Sequence, residues 1–319
     1  MQSLSAPAPG RVVILATGGT IAGTAASPTD SLGYNPGQLD VDQLLMAVPP
    51  LVGQDLETEQ LAQIDSKDMD FAVWALLAQR VEHHLARPEV AGIVVTHGTD
   101  TLEETAYWLQ RVLAPAKPVV LCSAMRPATA LQADGPQNLL DAVTLALEPG
   151  AAGVLAVLAG TVHGAFDVRK THTHRLDAFG SGDAGPIARI EAGRVRRLRH
   201  WPSGTPLGTA CLACARWPRV EIVTSYAGAC GAIVEALVSQ RVDGLVAAGT
   251  GNGTLHHSLE AALLRAQAQG VAVRRATRVA DGPLQDAGPA SLPGCGALSA
   301  VQARIELMLQ LMLGNDRRR

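Results

Sequence analysis

Short runs of apolar, β-branched residues alternate with longer amphipathic runs along most of this 319-residue sequence. This alternation is typical of repeated strand–helix–strand units, which build a mostly parallel sheet covered by helices. It predicts an α/β fold with a doubly wound, mostly parallel sheet in a larger N-terminal domain, followed by a smaller C-terminal α/β domain. The predicted strands span residues 12–16, 92–96, 118–122, 153–158, 220–224, 242–247 and 271–275. The predicted helices span residues 41–48, 69–85, 102–113, 136–147, 229–239, 255–267 and 298–313.

The alternation is interrupted between residues 200 and 217, where Pro, Gly and Thr are frequent and no periodicity is visible. Such a stretch is typical of a connection between domains. We therefore predict an N-terminal domain over residues 1–199, a linker over 200–217 and a C-terminal domain over 218–319.

Composition excludes several classes of protein. With 26 basic and 29 acidic residues the formal charge is -3, which is not the basic surface that a nucleic-acid partner requires. The longest apolar stretches, such as residues 153–160, are much shorter than the roughly 20 residues that span a bilayer. No basic, apolar secretory leader is visible at the N-terminus, so we expect a cytoplasmic protein, or a periplasmic one if a leader precedes Met1 naturally.

Cysteine and histidine usage predicts neither disulfides nor a metal site. Five cysteines, an odd number in a chain of this length, do not suggest a disulfide framework. Cys211 and Cys214 make a lone CxxC pair without a second pair at zinc-ligand spacing. His172 and His174 alternate without a third ligand, so a polar loop is the better interpretation.

Two loops follow predicted strands and carry an unusual number of hydroxyl groups. Thr17-Gly18-Gly19-Thr20 follows the first strand, and residues 96–101, with the sequence THGTDT, follow the strand at 92–96. In open parallel sheets ligands bind beyond the carboxyl ends of the strands. Taken singly, each loop could simply be a turn with a helix cap. Together they favour a site in which a threonine hydroxyl acts as nucleophile, which requires a nearby base and oxyanion donors.

Lysine usage points to one candidate for that base. The chain has only three lysines, at positions 67, 117 and 170, against 23 arginines. A desolvated lysine can give up its proton and arginine effectively cannot, so Lys170 is a candidate for proton transfer. A solvated lysine is the alternative, and we assign Lys117 to it.

The sequence resembles the bacterial-type L-asparaginases and glutaminase-asparaginases. The resemblance rests on ILATGGTIAG at residues 14–23 and GIVVTHGTDTLEETAYWL at 92–109. Shorter matches follow in family order: DSKDM at 65–69, SAMRP at 123–127, ADGPQNL at 133–139, DVRKTHT at 167–173 and AAGTGNGTL at 247–255. The matches cover nearly the whole chain.

This resemblance implies a two-domain fold, a homotetramer built from intimate dimers, and hydrolysis of asparagine to aspartate and ammonia without metal or cofactor. It places Thr20 on the nucleophile and Tyr34 on the tyrosine that contacts it. The resemblance also implies that Thr99, Asp100 and Lys170 activate the attack. It implies that Ser66 and Asp100 bind the substrate's α-carboxylate and α-ammonium groups. Ala124 is implied to contact the side-chain amide, and Asn252 is implied to contact a neighbouring subunit's site.

Two departures from the family pattern concern charge. Lys67 stands where related enzymes often carry Gln or Glu that helps to bind the substrate ammonium. The loop at 282–296 is short, and the position at which some relatives supply a carboxylate from the partner subunit falls at or near Gly288. These changes predict modest affinity for asparagine. The alternative is that Lys67 points to solvent or to the substrate carboxylate.

The same residues are compatible with rival functions. One methylene separates asparagine from glutamine, a difference worth only about 1 to 3 kcal/mol in discrimination, so a mixed glutaminase-asparaginase or a hydrolase of a related small amide is the main alternative. A non-catalytic amino-acid-binding protein is a minor one, because it would need Ser66 and Asp100 but not Thr20, Thr99 and Lys170. Dinucleotide, P-loop and α/β-hydrolase signatures are absent from the sequence.

Overall fold

A computed structural model describes residues 10–30, 32–213, 216–285 and 292–316 of the chain. The chain divides into two compact units, Met1–Thr209 and Ala210–Arg319. The predicted fold class is confirmed, since the first unit contains a large, mostly parallel sheet and the second a smaller parallel one. Among the described residues, none of the helices has the length and apolar character needed to cross a membrane.

The sheet of the first unit has eight strands, and it includes all four strands predicted there. They are β1 (Arg11–Gly18), β2 (Leu56–Ile64), β3 (Val90–Thr96), β4 (Pro118–Cys122), β5 (Gly153–Leu158), β6 (Thr161–Gly164), β7 (Ala188–Glu191) and β8 (Arg194–Arg197). Their order in space is β8-β7-β6-β5-β4-β3-β1-β2. The pairs from β2 to β5 are parallel, whereas β6, β7 and β8 follow β5 as antiparallel neighbours.

Strand β2 was not predicted, and it matters because it leads to Ser66. Its sequence, LETEQLAQI, is mostly polar, and none of its residues is fully buried. It lies at the edge of the sheet, where one side of the backbone has no neighbouring strand and polar side chains are tolerated. Apolar patterning therefore gives little signal for this strand.

Four helices cover this sheet: α1 (Val41–Met46), α2 (Phe71–Leu85), α3 (Leu102–Leu113) and α4 (Gly135–Ala146). Helix α1 begins with a capping box between Asp40 and Gln43. It ends earlier than predicted because Pro49 disfavours helical geometry at Val48, which adopts φ -124° and ψ 72°. Helix α2 starts at Phe71 because the Asp70 carboxylate caps it by accepting the Val73 N–H.

The helices lie on both faces of the sheet, as the doubly wound prediction requires. Val12 and Ile14 of β1 pack in one core cluster with residues of α1 and α4. Val13 and Leu15 are equally buried and point to the opposite face, because successive side chains of a strand alternate. Each of these aliphatic side chains contributes roughly 1.5 to 3 kcal/mol by burial, so strand β1 is firmly held between β2 and β3.

The second unit has a three-stranded parallel sheet with strand order β9-β10-β11. Its elements are β9 (Val220–Thr224), α5 (Ala232–Ser239), β10 (Gly244–Gly249), α6 (His257–Ala268), β11 (Ala272–Thr277) and α7 (Ala300–Asp316). Helix α7 starts two residues later than predicted because Ser299 and Gln302 cap it reciprocally. Helix α6 starts after His256, whose ring accepts the Ser258 N–H.

Candidate functional site

The two hydroxyl-rich loops lie side by side because their strands are neighbours. Strands β1 and β3 pair in parallel with Ala16 opposite Thr96. The hydroxyl of Thr17 donates to the Thr96 carbonyl at 2.8 Å. The loop after each strand therefore starts at the same edge of the sheet.

Two glycines allow three loops to meet at this edge. A methyl group built on Gly19 would overlap backbone atoms of Gly98, and one built on Gly98 would overlap the side chain of Ser66. Gly19 also has φ +84° and ψ -173°, a conformation nearly restricted to glycine. The close approach places Thr20 in the loop that contacts Gly98, and Thr99 directly after that contact.

Thr20 is held by a partner from a short antiparallel ladder. Thr24–Ala25 pairs with Tyr34–Asn35, which returns the chain towards Thr20. The Thr20 and Tyr34 hydroxyl oxygens are 2.7 Å apart, and either group can donate. Thr20 itself is buried. Thr20 and Tyr34, which the family resemblance pairs as nucleophile and contacting tyrosine, are thus brought together.

The structure also brings together the second set of predicted site residues, Thr99, Asp100 and Lys170. The Lys170 ammonium donates to Thr99 Oγ1 at 2.9 Å and to Asp100 Oδ1 at 2.6 Å. Lys170 belongs to a short ladder in which it faces Phe179. Thr99 is buried and only 21% of the Lys170 side chain is exposed. This geometry differs from that of a helix cap, because Thr101 at the start of α3 makes no side-chain capping bond.

Glu103, in the first turn of α3, has a role that the sequence did not predict. Glu103 Oε2 accepts the backbone N–H of Lys170 at 2.9 Å. Burial raises the pKa of this carboxyl group above its ordinary value, while the Lys170 backbone bond acts in the opposite direction. Glu103 therefore fixes the backbone of Lys170 relative to α3. Only the tertiary structure could reveal this contact, since 67 residues separate the two.

Ser66 lies beside the second set. It is buried, and its Oγ accepts the Asp100 N–H at 3.1 Å. The Thr101 hydroxyl donates to the Ser66 carbonyl at 2.7 Å. Ser66 is thus placed against Asp100, the other residue expected to hold the polar groups of the substrate.

Ala124 is fully buried just after β4. The preceding residue, Ser123, donates its hydroxyl to the His97 carbonyl at 2.6 Å, which joins this segment to the loop that contains Thr99. On its other side, the Asp134 carboxylate accepts the backbone N–H groups of Met125 and Arg126, both at 3.0 Å. The segment is therefore held in place from both sides.

Lys67 adopts the alternative geometry considered from the sequence. Its side chain is 60% exposed, and Nζ lies 2.8 Å from Asp68 and 3.1 Å from Asp65. Hydrogen bonds from these carboxylates, first Asp68 and then Asp65, raise the pKa of Lys67. The added positive charge is thus accompanied by two negative ones.

Lys117 differs from our prediction of a solvated lysine. Its ammonium donates to the carbonyls of Leu85 at 3.1 Å and Arg87 at 2.8 Å, near the C-terminus of α2. A cation is favourable there because it binds carbonyls that have no partner within the helix. The expected polar loop at His172 is observed, since its ring accepts the backbone N–H groups of His174 and Arg175.

The remaining predicted residues belong to the second unit. Both the Asn252 amide nitrogen and its oxygen bind the backbone of Gln285, at 2.8 Å each. The role of Asn252 at a neighbouring subunit's site stays a prediction. Gly288 lies outside the described residues, as does Cys214. Among the described residues no group of three His, Cys, Asp or Glu side chains has the arrangement of a metal site.

The first unit thus brings together two hydroxyl groups that each have a hydrogen-bond partner, one ammonium group and one carboxylate. Thr20 has a phenol as partner, and Thr99 has an amine that also binds Asp100. A hydroxyl with a proton acceptor close by can attack a carbonyl carbon. The arrangement is suited to acyl transfer on a small ligand that has an amino group.

Comparison with known proteins agrees with this interpretation. A family model described as "Asparaginase, N-terminal" matches residues 11–202, and "Glutaminase/Asparaginase C-terminal domain" matches residues 219–319. L-asparaginase 2 of Escherichia coli is 40% identical, with 96% of this chain and 90% of that protein covered. Glutaminase-asparaginase of Pseudomonas fluorescens is 36% identical, with 84% and 75% covered.

A solved structure shows the same fold. The probable cytoplasmic L-asparaginase from Campylobacter jejuni superposes with a TM-score of 0.90 at 36% sequence identity, and 95% of each chain is covered. Together, the two matching models, the relatives and this structure show that the chain belongs to the asparaginase family.

Proposed function

We propose that the protein hydrolyses the side-chain amide of L-asparagine to L-aspartate and ammonia. The observation that carries this proposal is the pairing of two hydroxyl sets, Thr20 with Tyr34 and Thr99 with Lys170 and Asp100, at adjoining strand ends. Family membership supports the same substrate class, because the Escherichia coli relative is an L-asparaginase. No metal or cofactor is part of the proposal.

Substrate binding is proposed to depend on Asp100 and Ser66. The Asp100 carboxylate would attract the substrate ammonium, and Ser66 would bind the α-carboxylate. Ala124 would contact the side-chain amide. Fixing both ends of a small amino acid in this way holds its amide carbon beside a threonine hydroxyl, which lowers the entropic part of the barrier.

The proposed reaction has two steps. Thr20 Oγ1 attacks the amide carbon as its proton passes to the Tyr34 oxygen, and Tyr34 gives its own phenolic proton to the leaving nitrogen. The tetrahedral oxyanion then collapses to an acyl-enzyme, and the nitrogen departs as ammonia. Water then attacks the ester and releases aspartate, returning the proton to Thr20. Thr99 and Lys170 orient and activate the reacting groups. The opposite assignment, with Thr99 as nucleophile, is distinguished by trapping the acyl-enzyme.

The test is ammonia release by purified protein with L-asparagine, L-glutamine and D-asparagine over a wide concentration range. We expect the fastest release with L-asparagine and a loss of at least about 10³-fold in Thr20→Ala. Thr29→Ala is the matched control, because its exposed hydroxyl bonds to Ser27 of the same loop. Mass spectrometry of quenched enzyme should find the acyl group on the peptide that contains Thr20. A folded protein that releases no ammonia would contradict the proposal.

A mixed glutaminase-asparaginase is the second candidate. The Pseudomonas fluorescens relative has that description, and the substrates differ by one methylene. Discrimination that depends on one methylene is worth only about 1 to 3 kcal/mol. Similar kcat/KM values for L-asparagine and L-glutamine would establish this candidate.

We also propose that the protein is a homotetramer built from intimate dimers. An apolar surface on the second unit supports self-association: α5 has the sequence AIVEALVS, yet only Val234 of it is buried. Ile233 and Tyr226 are each 54% exposed. Light scattering coupled to gel filtration should give four subunits, and Ile233→Asp should reduce that number. A monomeric wild-type protein would contradict the proposal.

The proposed domain organisation is an N-terminal domain over residues 1–199 with the nucleophile loops, a linker over 200–217 and a C-terminal domain over 218–319. The gap between the two family models, after residue 202 and before residue 219, supports it. We propose a cytoplasmic location, as described for the Campylobacter jejuni relative.

A further inference from the structure

A chain of hydrogen bonds runs through the core beneath the loop that contains Thr99. The Trp74 indole Nε1 donates to Thr105 Oγ1 at 2.9 Å. Thr105 Oγ1 is 2.9 Å from His97 Nε2, and His97 Nδ1 is 2.7 Å from the Gly98 carbonyl oxygen. His97 and Thr105 are fully buried and Trp74 is nearly so.

The groups at the two ends of this series of hydrogen bonds, the Trp74 indole and the Gly98 carbonyl, decide where each proton lies. The Gly98 carbonyl can only accept, so Nδ1 of His97 is protonated. A neutral imidazole then has an acceptor at Nε2, so Thr105 must donate its proton there. The Thr105 oxygen remains free to accept from the indole, which can only donate. All three bonds therefore point in one direction, from Trp74 to Gly98.

Burial supports the neutral form of the ring. It lowers the pKa of His97 to about 4, with the Gly98 hydrogen bond acting in the opposite direction. The His97 backbone is also fixed, because its N–H donates to the Cys122 carbonyl at 2.9 Å and its carbonyl accepts the Ser123 hydroxyl. The imidazole is therefore a rigid donor.

The bond to Gly98 determines the direction of the next N–H. No cis peptide bond occurs among the described residues, so the Gly98 carbonyl and the Thr99 N–H point in opposite directions. With the carbonyl held against the buried imidazole, the Thr99 N–H is directed away from it. Within the described part of the chain this N–H has no hydrogen-bond partner.

We propose that His97 is a positioning residue for the reaction, which holds the Gly98–Thr99 peptide through its Nδ1–H while Thr105 selects that tautomer. The inference rests on the proposed function. In this arrangement the Thr99 N–H is available to a ligand or to the oxyanion, and Thr99 Oγ1 remains on Lys170. Such donors act strongly because their orientation is set before the reaction starts.

The main test removes the Thr105 hydroxyl without changing the volume of the side chain. Thr105→Val deprives His97 Nε2 of its donor, which frees the ring to change tautomer and release the Gly98 carbonyl. We expect kcat for ammonia release from L-asparagine to fall by about 10- to 100-fold with KM changed less than about threefold. Thr105→Ser restores the hydroxyl and should recover most of the loss.

Two further measurements separate positioning from a general loss of stability. Thr144→Val removes a half-buried hydroxyl that donates to the Leu140 carbonyl one turn earlier in α4, and it should leave kcat unchanged. Nitrogen-15 NMR of histidine-labelled protein at pH 7 should show a protonated Nδ1 at His97 in the wild type. The same spectrum of Thr105→Val should show loss of that form.

The outcomes are distinct. An unprotonated Nδ1 in the wild type, or an unchanged kcat in folded Thr105→Val, would overturn this inference and leave the proposed function intact. A wild-type protein that releases no ammonia but has the Nδ1–H form would instead contradict the proposed function. Loss of kcat in Thr105→Val with recovery in Thr105→Ser and the expected spectra would support both.

Discussion

The ammonium nitrogen of Lys170 lies 2.9 Å from the hydroxyl oxygen of Thr99, although 71 residues separate them in the chain. The same nitrogen binds Asp100, so one lysine links a hydroxyl and a carboxylate that are adjacent in sequence. This contact joins the loop after β3 to a ladder far along the chain. It places the Lys170 ammonium between Thr99 and Asp100, the carboxylate that is proposed to bind the substrate ammonium.

The first prediction concerns that lysine. Lys170→Arg keeps the positive charge but introduces a group that stays protonated at any working pH. We expect kcat to fall by at least about 10²-fold, because charge alone does not replace proton transfer. Lys117→Arg is the control, since Lys117 also binds two oxygens through Nζ. Nearly normal kcat in Lys170→Arg would show that the charge alone is sufficient.

The second prediction concerns Tyr34. Tyr34→Phe removes the phenol that lies 2.7 Å from Thr20 Oγ1. A loss of about 10²-fold in kcat is expected if the phenol takes part in proton transfer. Steady-state ammonia release compares Tyr34→Phe with the wild-type protein, and equal kcat for the two would remove Tyr34 from the mechanism.

The third prediction concerns Lys67. Because its ammonium is exposed and bound to Asp65 and Asp68, Lys67→Gln should change KM for L-asparagine by less than about threefold, as expected for surface ion pairs. KM measured at low and high salt checks this. A KM that falls tenfold or more would instead favour the hypothesis that Lys67 weakens binding of the substrate ammonium.

The fourth prediction concerns Gly19. Ala at this position would have a strained backbone and a methyl group overlapping Gly98, so Gly19→Ala should lower the free energy of unfolding by more than about 2 kcal/mol. Gly193→Ala also has a positive φ but faces open space, and should cost about 1 to 2 kcal/mol. Urea denaturation compares them. Equal losses would show that the contact with Gly98 contributes nothing.

The fifth prediction is a pH dependence of stability. Burial, aided by Arg189, lowers the pKa of His163 to about 4, and its Nδ1 lies 2.7 Å from Ser181 Oγ. Between pH 6.5 and 4 the unfolded chain binds a proton at His163 that the native protein does not. Stability contributed by this group is therefore present above pH 6.5 and is lost as the pH falls, by up to about 3 kcal/mol.

His163→Asn tests this dependence, because it retains a polar group near Ser181 without a titrating ring. Unfolding free energies at pH 7, 5.5 and 4.5 should fall less steeply in this variant than in the wild type. His200→Asn, at an exposed position, should follow the wild type. Buried carboxyls such as Glu103, whose pKa is raised, act in the opposite sense, so the difference between variants is the quantity to compare.

Several features of the fold could be predicted from local sequence. Strands β4, β5 and β9 and helix α3 have the predicted bounds, because continuous apolar runs and helical periodicity directly report burial. Helix ends differed by a few residues where a capping side chain or a following proline decided them, as at Asp70 and Pro49. Edge strand β2 was missed because its polar residues lack that signal.

The sequence by itself determined which elements form and which loops hold the hydroxyl groups, since both follow from local patterns of burial and turn-forming residues. Only the tertiary structure decided which side chains meet. The contacts of Lys170 with Thr99 and of Glu103 with the Lys170 backbone depend on strand order and on the paths of distant loops. The direction of Lys67 was likewise decided by two nearby carboxylates, because local patterning does not fix the rotamer of an exposed side chain.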